Sequence, residues 1–305
     1  MENEIPVSHF KDMDEPVLVT TTTSVSDKLY LAAQMQRFDT IGIDVTASAV
    51  NDLLAMRAKP LMIADTISCA KAKPEKIEEM EAGIQSACVT SGIRFADSQV
   101  KELPDVFSYD QYDLVGFAVG VCECQEKVRS SHFRDGDVII GLPSNGLHND
   151  GYVTARKKLY LSKASMEIYY ETLGATLGDL LMQPTKSYKR PLEAAFASGI
   201  EIKSCVQVAR GGFDAAVRRL LYNRAGAVIK QGKGKMTPLY DMLHKDGNIS
   251  REQMRCTFNM GVGMLLLVAE ENADAMMELL ENEGEEPLLL GLMERDSYTI
   301  RYIKS

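Results

Sequence analysis

No stretch of this sequence is apolar over the roughly 20 residues that a bilayer-spanning helix requires. The opening MENEIPVSHF lacks the basic-then-apolar order of a secretory leader, and both absences point to a cytoplasmic protein. Positive charge is scarce: 34 Lys and Arg stand against 43 Asp and Glu, a formal net charge of −9. That balance excludes nucleic acid or an anionic membrane as the main partner, because both attract clustered basic residues. Histidine occurs four times, never as H-x-x-x-H or beside a cysteine pair, which argues against a structural zinc site. The six cysteines are scattered, and Cys122 and Cys124 alternate in a strand-like run without forming C-x-x-C, so they read as buried free thiols. No internal repeat or low-complexity linker stands out.

What is present is a globular chain of 305 residues, 45% apolar and 25% charged, in the range where one core divides into two. Apolar periodicity predicts alternating strands and helices. PVLVTTT from Pro16 reads as a strand, Thr40 to Arg57 as a largely apolar helix carrying Asp44, Asn51 and Asp52 at helical spacing, and PLMIADTIS from Pro60 as a strand ending on Asp65. Pro74 marks a helix start, and Ile77 to Ser91 reads as an amphipathic helix closed by Gly92. DLVGFAVGVCEC from Asp113 is a strand whose spaced glycines allow close backbone approach. A new unit begins with RDGDVIIGLPSNGLHNDGY from Arg134, and helices are read in YVTARKKLY, SYKRPLEAAFASGI and GGFDAAVRRLLYNRAG. TFNMGVGMLLLVAEE reads as a strand and EENADAMMELLENEGEE as a solvated helix. The boundary is placed between Gln125 and Asp135, giving domains 1–128 and 129–305.

Five fragments, taken in order, resemble one family: FDTIGIDVTASAVNDLLAMRAKPLMIADTIS, YDLVGFAVGV, DGDVIIGLPSNGLHNDGY, PTKSYKRPL and TFNMGVGM. They are similar to those of aminoimidazole ribonucleotide synthetase, the PurM-type cyclo-ligase of purine synthesis, over nearly the whole chain from Pro16 onward. The resemblance implies a two-domain α/β fold of the α+β type, in which the N-terminal sheet pairs across a homodimer into a barrel beside a second α/β domain. It also implies a reaction. ATP and magnesium activate the formyl oxygen of formylglycinamidine ribonucleotide, an internal nitrogen closes the imidazole ring, and ADP and phosphate leave. Such phosphoryl transfer rests on glycine-turn amides, a lysine point charge and metal-holding carboxylates.

The family's phosphate turn, roughly S-G-T-D-G-V-G-T-K, falls on Thr20 to Lys28. The threonine, valine and lysine of that motif persist as Thr22, Val25 and Lys28. The metal-binding aspartate falls on Thr23, and three glycines have become Thr21, Ser24 and Ser26, whose side chains restrict positive-φ geometry. Because β-branched residues favour extended backbone, the threonine run can also simply prolong the strand. The resemblance assigns Asp44 and Asp65 to metal, Lys28, Asn51, Asp52, Gly211 and Gly212 to the cofactor, and His148 and Glu102 to catalysis. Gln99 replaces a family carboxylate, Gln207 a histidine, Arg210 a glycine and Cys256 an arginine. The family's nucleotide-covering glycine segment has no counterpart before Pro16.

Each assignment has a plainer alternative. Lys28 reads equally as a solvated first-turn lysine, His148 as a loop histidine without a ligand, and Asp44, Asn51 and Asp52 as a capping or interface network. Asp65 needs a partner in any case, whether metal, lysine or backbone donor. Three functional readings follow. One is a non-catalytic homologue that keeps the fold and dimer and binds a partner or a small phosphorylated or nucleotide-like ligand. The second is a working cyclo-ligase whose metal site has moved to Asp27, Asp65 and Glu102. The third is a sister ATP-dependent activity, since fold does not fix function. ATP and magnesium are expected only in the second and third.

Overall fold

The computed structural model describes residues 4–124, 133–231 and 238–304. In chain order β1 (Pro16–Ser24), α1 (Ser26–Met35), α2 (Ile41–Ala55), β2 (Lys59–Cys69), α3 (Pro74–Ser91), β3 (Arg94–Glu102) and β4 (Tyr112–Glu123) come first. Then follow β5 (Val138–Pro143), α4 (Tyr152–Lys158), α5 (Lys163–Met166), β6 (Tyr169–Tyr170), β7 (Ala175–Thr176), α6 (Leu177–Leu181) and α7 (Lys189–Ala197). The chain continues through β8 (Ile202–Gln207), α8 (Gly212–Leu220), β9 (Gly226–Gln231), α9 (Pro238–Lys245) and α10 (Arg251–Thr257). It ends with β10 (Val262–Val268), α11 (Ala273–Asn282), β11 (Leu288–Glu294) and β12 (Ile300–Lys304). Two compact units result, the first from Met1–Lys127, Ser162–Tyr170 and Ala175–Ser187, the second from Val128–Leu161, Glu171–Gly174 and Tyr188–Ser305. The boundary expected at residue 128 lies outside the described residues.

The first unit is a four-stranded sheet in the order β1-β4-β2-β3, antiparallel except for β2 and β3. Strand side chains alternate between faces, and one face of β4 carries Leu114, Gly116, Ala118 and Gly120, all buried against helices. A Cβ on Gly116 would lie 2.8 Å from Val45 Cγ2 and 3.2 Å from Ile63 Cδ1, so the strand's glycine lets α2 approach the sheet as the sequence predicts. The opposite face presents Leu18, 62% exposed, and Phe117, 47% exposed. α3 begins on Pro74 and ends at Gly92, which adopts φ 61°, matching the proline-start, glycine-stop reading. β3 was not read from the sequence, because its residues are mostly exposed and show no clear alternation.

The second unit is a six-stranded sheet in the order β12-β9-β11-β5-β10-β8, with β12 and β9 the parallel pair. All seven residues of β10 are buried, which accounts for the near-continuous apolar run GMLLLV. Phe213, Ala216, Val217 and Leu220 of α8 join Ile139, Leu265 and Leu267 in its core. Lys203 and Asp137 form a buried ion pair at 2.6 Å. Among the described residues, no helix is long and apolar enough to cross a membrane.

Candidate functional site

The threonine run prolongs a strand. β1 keeps antiparallel register with β4 through Thr23 opposite Gly116 and Ser24 opposite Val115. Thr20 and Thr22 are exposed, whereas Thr21 and Thr23 turn toward α2. There the Thr21 hydroxyl donates to Asp52 Oδ2 at 3.1 Å and the Thr23 hydroxyl to the Val45 carbonyl at 3.2 Å. α1 starts at Ser26, with Val25 as an N-cap that makes no side-chain capping bond, and Asp27 lies exposed in its first turn.

Lys28, one residue on, is not the solvated lysine of the plainer reading. Its side chain is wholly buried, 2.7 Å from Asp44 Oδ2, and donates to the Gln183 carbonyl at 2.6 Å. Asp44 Oδ1 accepts the Thr185 amide at 2.7 Å and the Thr185 hydroxyl at 2.8 Å. Asn51, about two turns further along the same face of α2, donates to the Lys186 carbonyl at 2.8 Å. Burial pulls the Lys28 ammonium below the ordinary lysine range and pushes the Asp44 carboxyl up; each shift is opposed by the other's charge. The sequence gives no sign of Gln183 or Thr185 as partners, although Thr185 lies within the PTKSYKRPL fragment.

Asp65 shares its β2 face with buried Ile63, Ile67 and Cys69. Its Oδ1 accepts from the Ser98 hydroxyl at 3.0 Å, and Oδ2 has no hydrogen-bond partner among the described residues. Burial first, then the charges of Glu81 and Asp97, push its carboxyl up to about 7 despite the Ser98 bond. Gln99, exposed on β3, stands opposite Thr66. Glu102 is exposed, and its Oε1 accepts the Ala72 amide at 2.8 Å, which ties down the chain ahead of α3. Among the described residues, no group of three or more His, Cys, Asp or Glu side chains is placed to hold a metal ion.

In the second unit, His148 is buried at φ 59°, its Nε2 3.1 Å from Asn145 Oδ1 and its ring 6.3 Å from that of Tyr188. Asn259, the asparagine of TFN, donates to the Gly146 carbonyl at 2.8 Å and accepts the Gly261 amide at 3.0 Å, and Tyr240 donates to the same asparagine. These bonds fix the SNGLH loop from below. At the end of β8, buried Gln207 leaves Oε1 without a hydrogen-bond partner among the described residues. Gly211 and Gly212 follow at φ 88° and 68°, and a Cβ on Gly212 would come within 2.4 Å of the Arg255 carbonyl. Arg255 lies 3.5 Å from Asp214 Oδ1 and stacks 3.9 Å over the Tyr302 ring, whose hydroxyl donates to Asp214. Cys256, at the family's arginine position, is an exposed free thiol 3.8 Å from Asp214 Oδ2.

Both halves of the chain match family models: the N-terminal domain of AIR synthase related protein over residues 9–122 and its C-terminal domain over residues 134–302. The chain belongs to the AIR synthase related family. A phosphoribosylformylglycinamidine cyclo-ligase of Lachnoclostridium phytofermentans is 37% identical to this family member across 93% of the chain and 84% of its own length. E. coli HypE, a hydrogenase maturation protein, superposes with a TM-score of 0.71 at 15% identity, covering 98% of this chain and 86% of that one. T. maritima PurL, solved with ATP, superposes with a TM-score of 0.62 at 15% identity, over 96% of this chain and 43% of PurL. At such identity the two structures establish the fold alone, a two-domain PurM-like architecture.

Proposed function

We propose that this chain is a non-catalytic AIR-synthase-type protein, which keeps the family scaffold and homodimer but no longer performs ATP-dependent ring closure. The observation that carries the reading is the state of Lys28. The lysine of the turn motif is buried against Asp44 and the Gln183 carbonyl. Around it, Thr23 stands where the family motif has a metal-binding acid, its hydroxyl given to the Val45 carbonyl. The strand runs on through Ser24 where glycines would turn. Two further facts support the reading: Asp44 is held by Lys28 and Thr185, and Asp65 lies on the buried face of β2 with Ile63 and Ile67. The SNGLH loop with His148 and the Gly211–Gly212 turn remain as places for a small phosphorylated or nucleotide-like ligand.

The test is calorimetry with magnesium and ATP, with no heat and no thermal shift expected. Thr23→Asp alone is expected not to restore binding, because the turn glycines would still be absent. Binding tighter than millimolar by the unmodified chain overturns the proposal. The 37% identity to a cyclo-ligase over 93% of the chain favours a second reading, a working cyclo-ligase or sister ATP-dependent enzyme with a moved metal site. Turnover of formylglycinamidine ribonucleotide, or rescue of a purine auxotroph, would establish the cyclo-ligase, and in that reading Asp65→Asn abolishes the rate.

A further inference from the structure

Residues 182–186 lie amid the second unit's sequence yet belong to the first unit, and the chain passes into the second directly afterwards, at Tyr188. They form neither helix nor strand. Apart from the Met182 amide, which bonds to the Gly178 carbonyl at the end of α6 at 2.8 Å, their main-chain groups have no ladder or helical turn to satisfy them and need other partners. Side chains of α1, α2 and the residues joining them supply these. Thr40 donates to the Met182 carbonyl at 3.1 Å, Lys28 to that of Gln183 at 2.6 Å and Asn51 to that of Lys186 at 2.8 Å. Asp44 takes the Thr185 amide and hydroxyl at 2.7 and 2.8 Å. Just before this stretch, Arg37 pairs with Asp179 at 2.7 Å, an exposed contact.

We propose that Lys28 and Asp44 form a buried latch that locks residues 182–186, as a strap, onto α1 and α2. The dependence runs both ways. Two charges withdrawn from water are tolerated only when further hydrogen bonds complete their shells, and here the strap provides those bonds: the Gln183 carbonyl for the ammonium, the Thr185 amide and hydroxyl for the carboxylate. The strap in turn has its Gln183 carbonyl and Thr185 amide satisfied by the pair. Latch and strap therefore open and close as one unit, with Thr40 and Asn51 holding the two ends of the strap and the ion pair its middle. The latch uses the same buried Lys28 that carries the functional reading, and its test involves no nucleotide.

Hydrogen exchange of the full-length chain, followed by mass spectrometry, tests it. Lys28→Met should accelerate exchange in peptides covering residues 182–187 at least tenfold more than in peptides from the core of β4. Thr185→Val, which removes one bond and keeps the shape, should produce the same pattern to a smaller extent and serves if Lys28→Met does not fold. Strap amides that exchange at the wild-type rate in the variants overturn the proposal. So does acceleration of the strap and β4 by one common factor, which would mean the pair supports the fold at large and not a local latch.

Discussion

Lys28 and Asp65 show how far a side chain's role depends on its surroundings. The motif marks Lys28 as important, but its partners sit 16 and more than 150 residues away, and no local pattern could show that the three would meet. The sequence reads Asp65 as an acid that ends an apolar strand and needs a partner; the need is real, but β2 continues past it to Cys69. The partner, Ser98, lies on a strand that the sequence did not disclose. Its raised pKa has a consequence for stability. Between the ordinary carboxylate value near 3.8 and about 7, the folded protein holds a proton that the unfolded chain has lost. Stability contributed by this group is thus present at low pH, declines as pH rises through that window and levels off above it. The cost at pH 8 is on the order of 2 kcal/mol, below the full conversion of the shift because the carboxyl retains some solvent. Asp65→Asn should relieve it, so the urea midpoint of the variant relative to wild type should rise between pH 5 and pH 8. A difference that stays constant over that range would show that Asp65 titrates normally.

Local signals disclose some elements and leave others unread, α9 with its opening Pro238 and α10 with its Ser250 cap among the latter. α3 runs from Pro74 to the Gly92 cap because a proline fits the first turn and a glycine the left-handed stop. The threonine run extends β1, as branched side chains favour, and its alternation places Thr21 and Thr23 on the α2 side. β3 escaped notice because an exposed edge strand has little need of apolar alternation, and β12 is a five-residue edge strand with no fully buried position. The glycines of β4 carry a quantitative prediction. Gly116→Val would drive new methyl groups into Val45 and Ile63, and overpacking of this kind costs about 1–3 kcal/mol. Urea denaturation should show a lower midpoint with an unchanged slope; an unaltered midpoint would mean that α2 can shift outward freely.

At the scale of the molecule, the first unit's sheet has helices on one face and Leu18 and Phe117 exposed on the other. A homodimer that closes this face is the assembly proposed here, and an apolar strand face of this kind is where a partner sheet would gain most from burial. Sedimentation equilibrium at micromolar concentration should give twice the chain mass for the wild type and the monomer mass for Leu18→Asp combined with Phe117→Asp. A monomeric wild type would remove the homodimer from the proposal. Sequence alone determined the family, elements such as α2, α3 and β1, and the positions where the phosphate turn departs from its motif, because these are matters of local residue order. Only the tertiary structure decided that residues 182–186 belong with the first unit and that Asp44 meets Thr185 141 residues away. It alone put the turn's lysine in the interior, since burial arises when layers close over a side chain and no neighbour in sequence records which layer that will be.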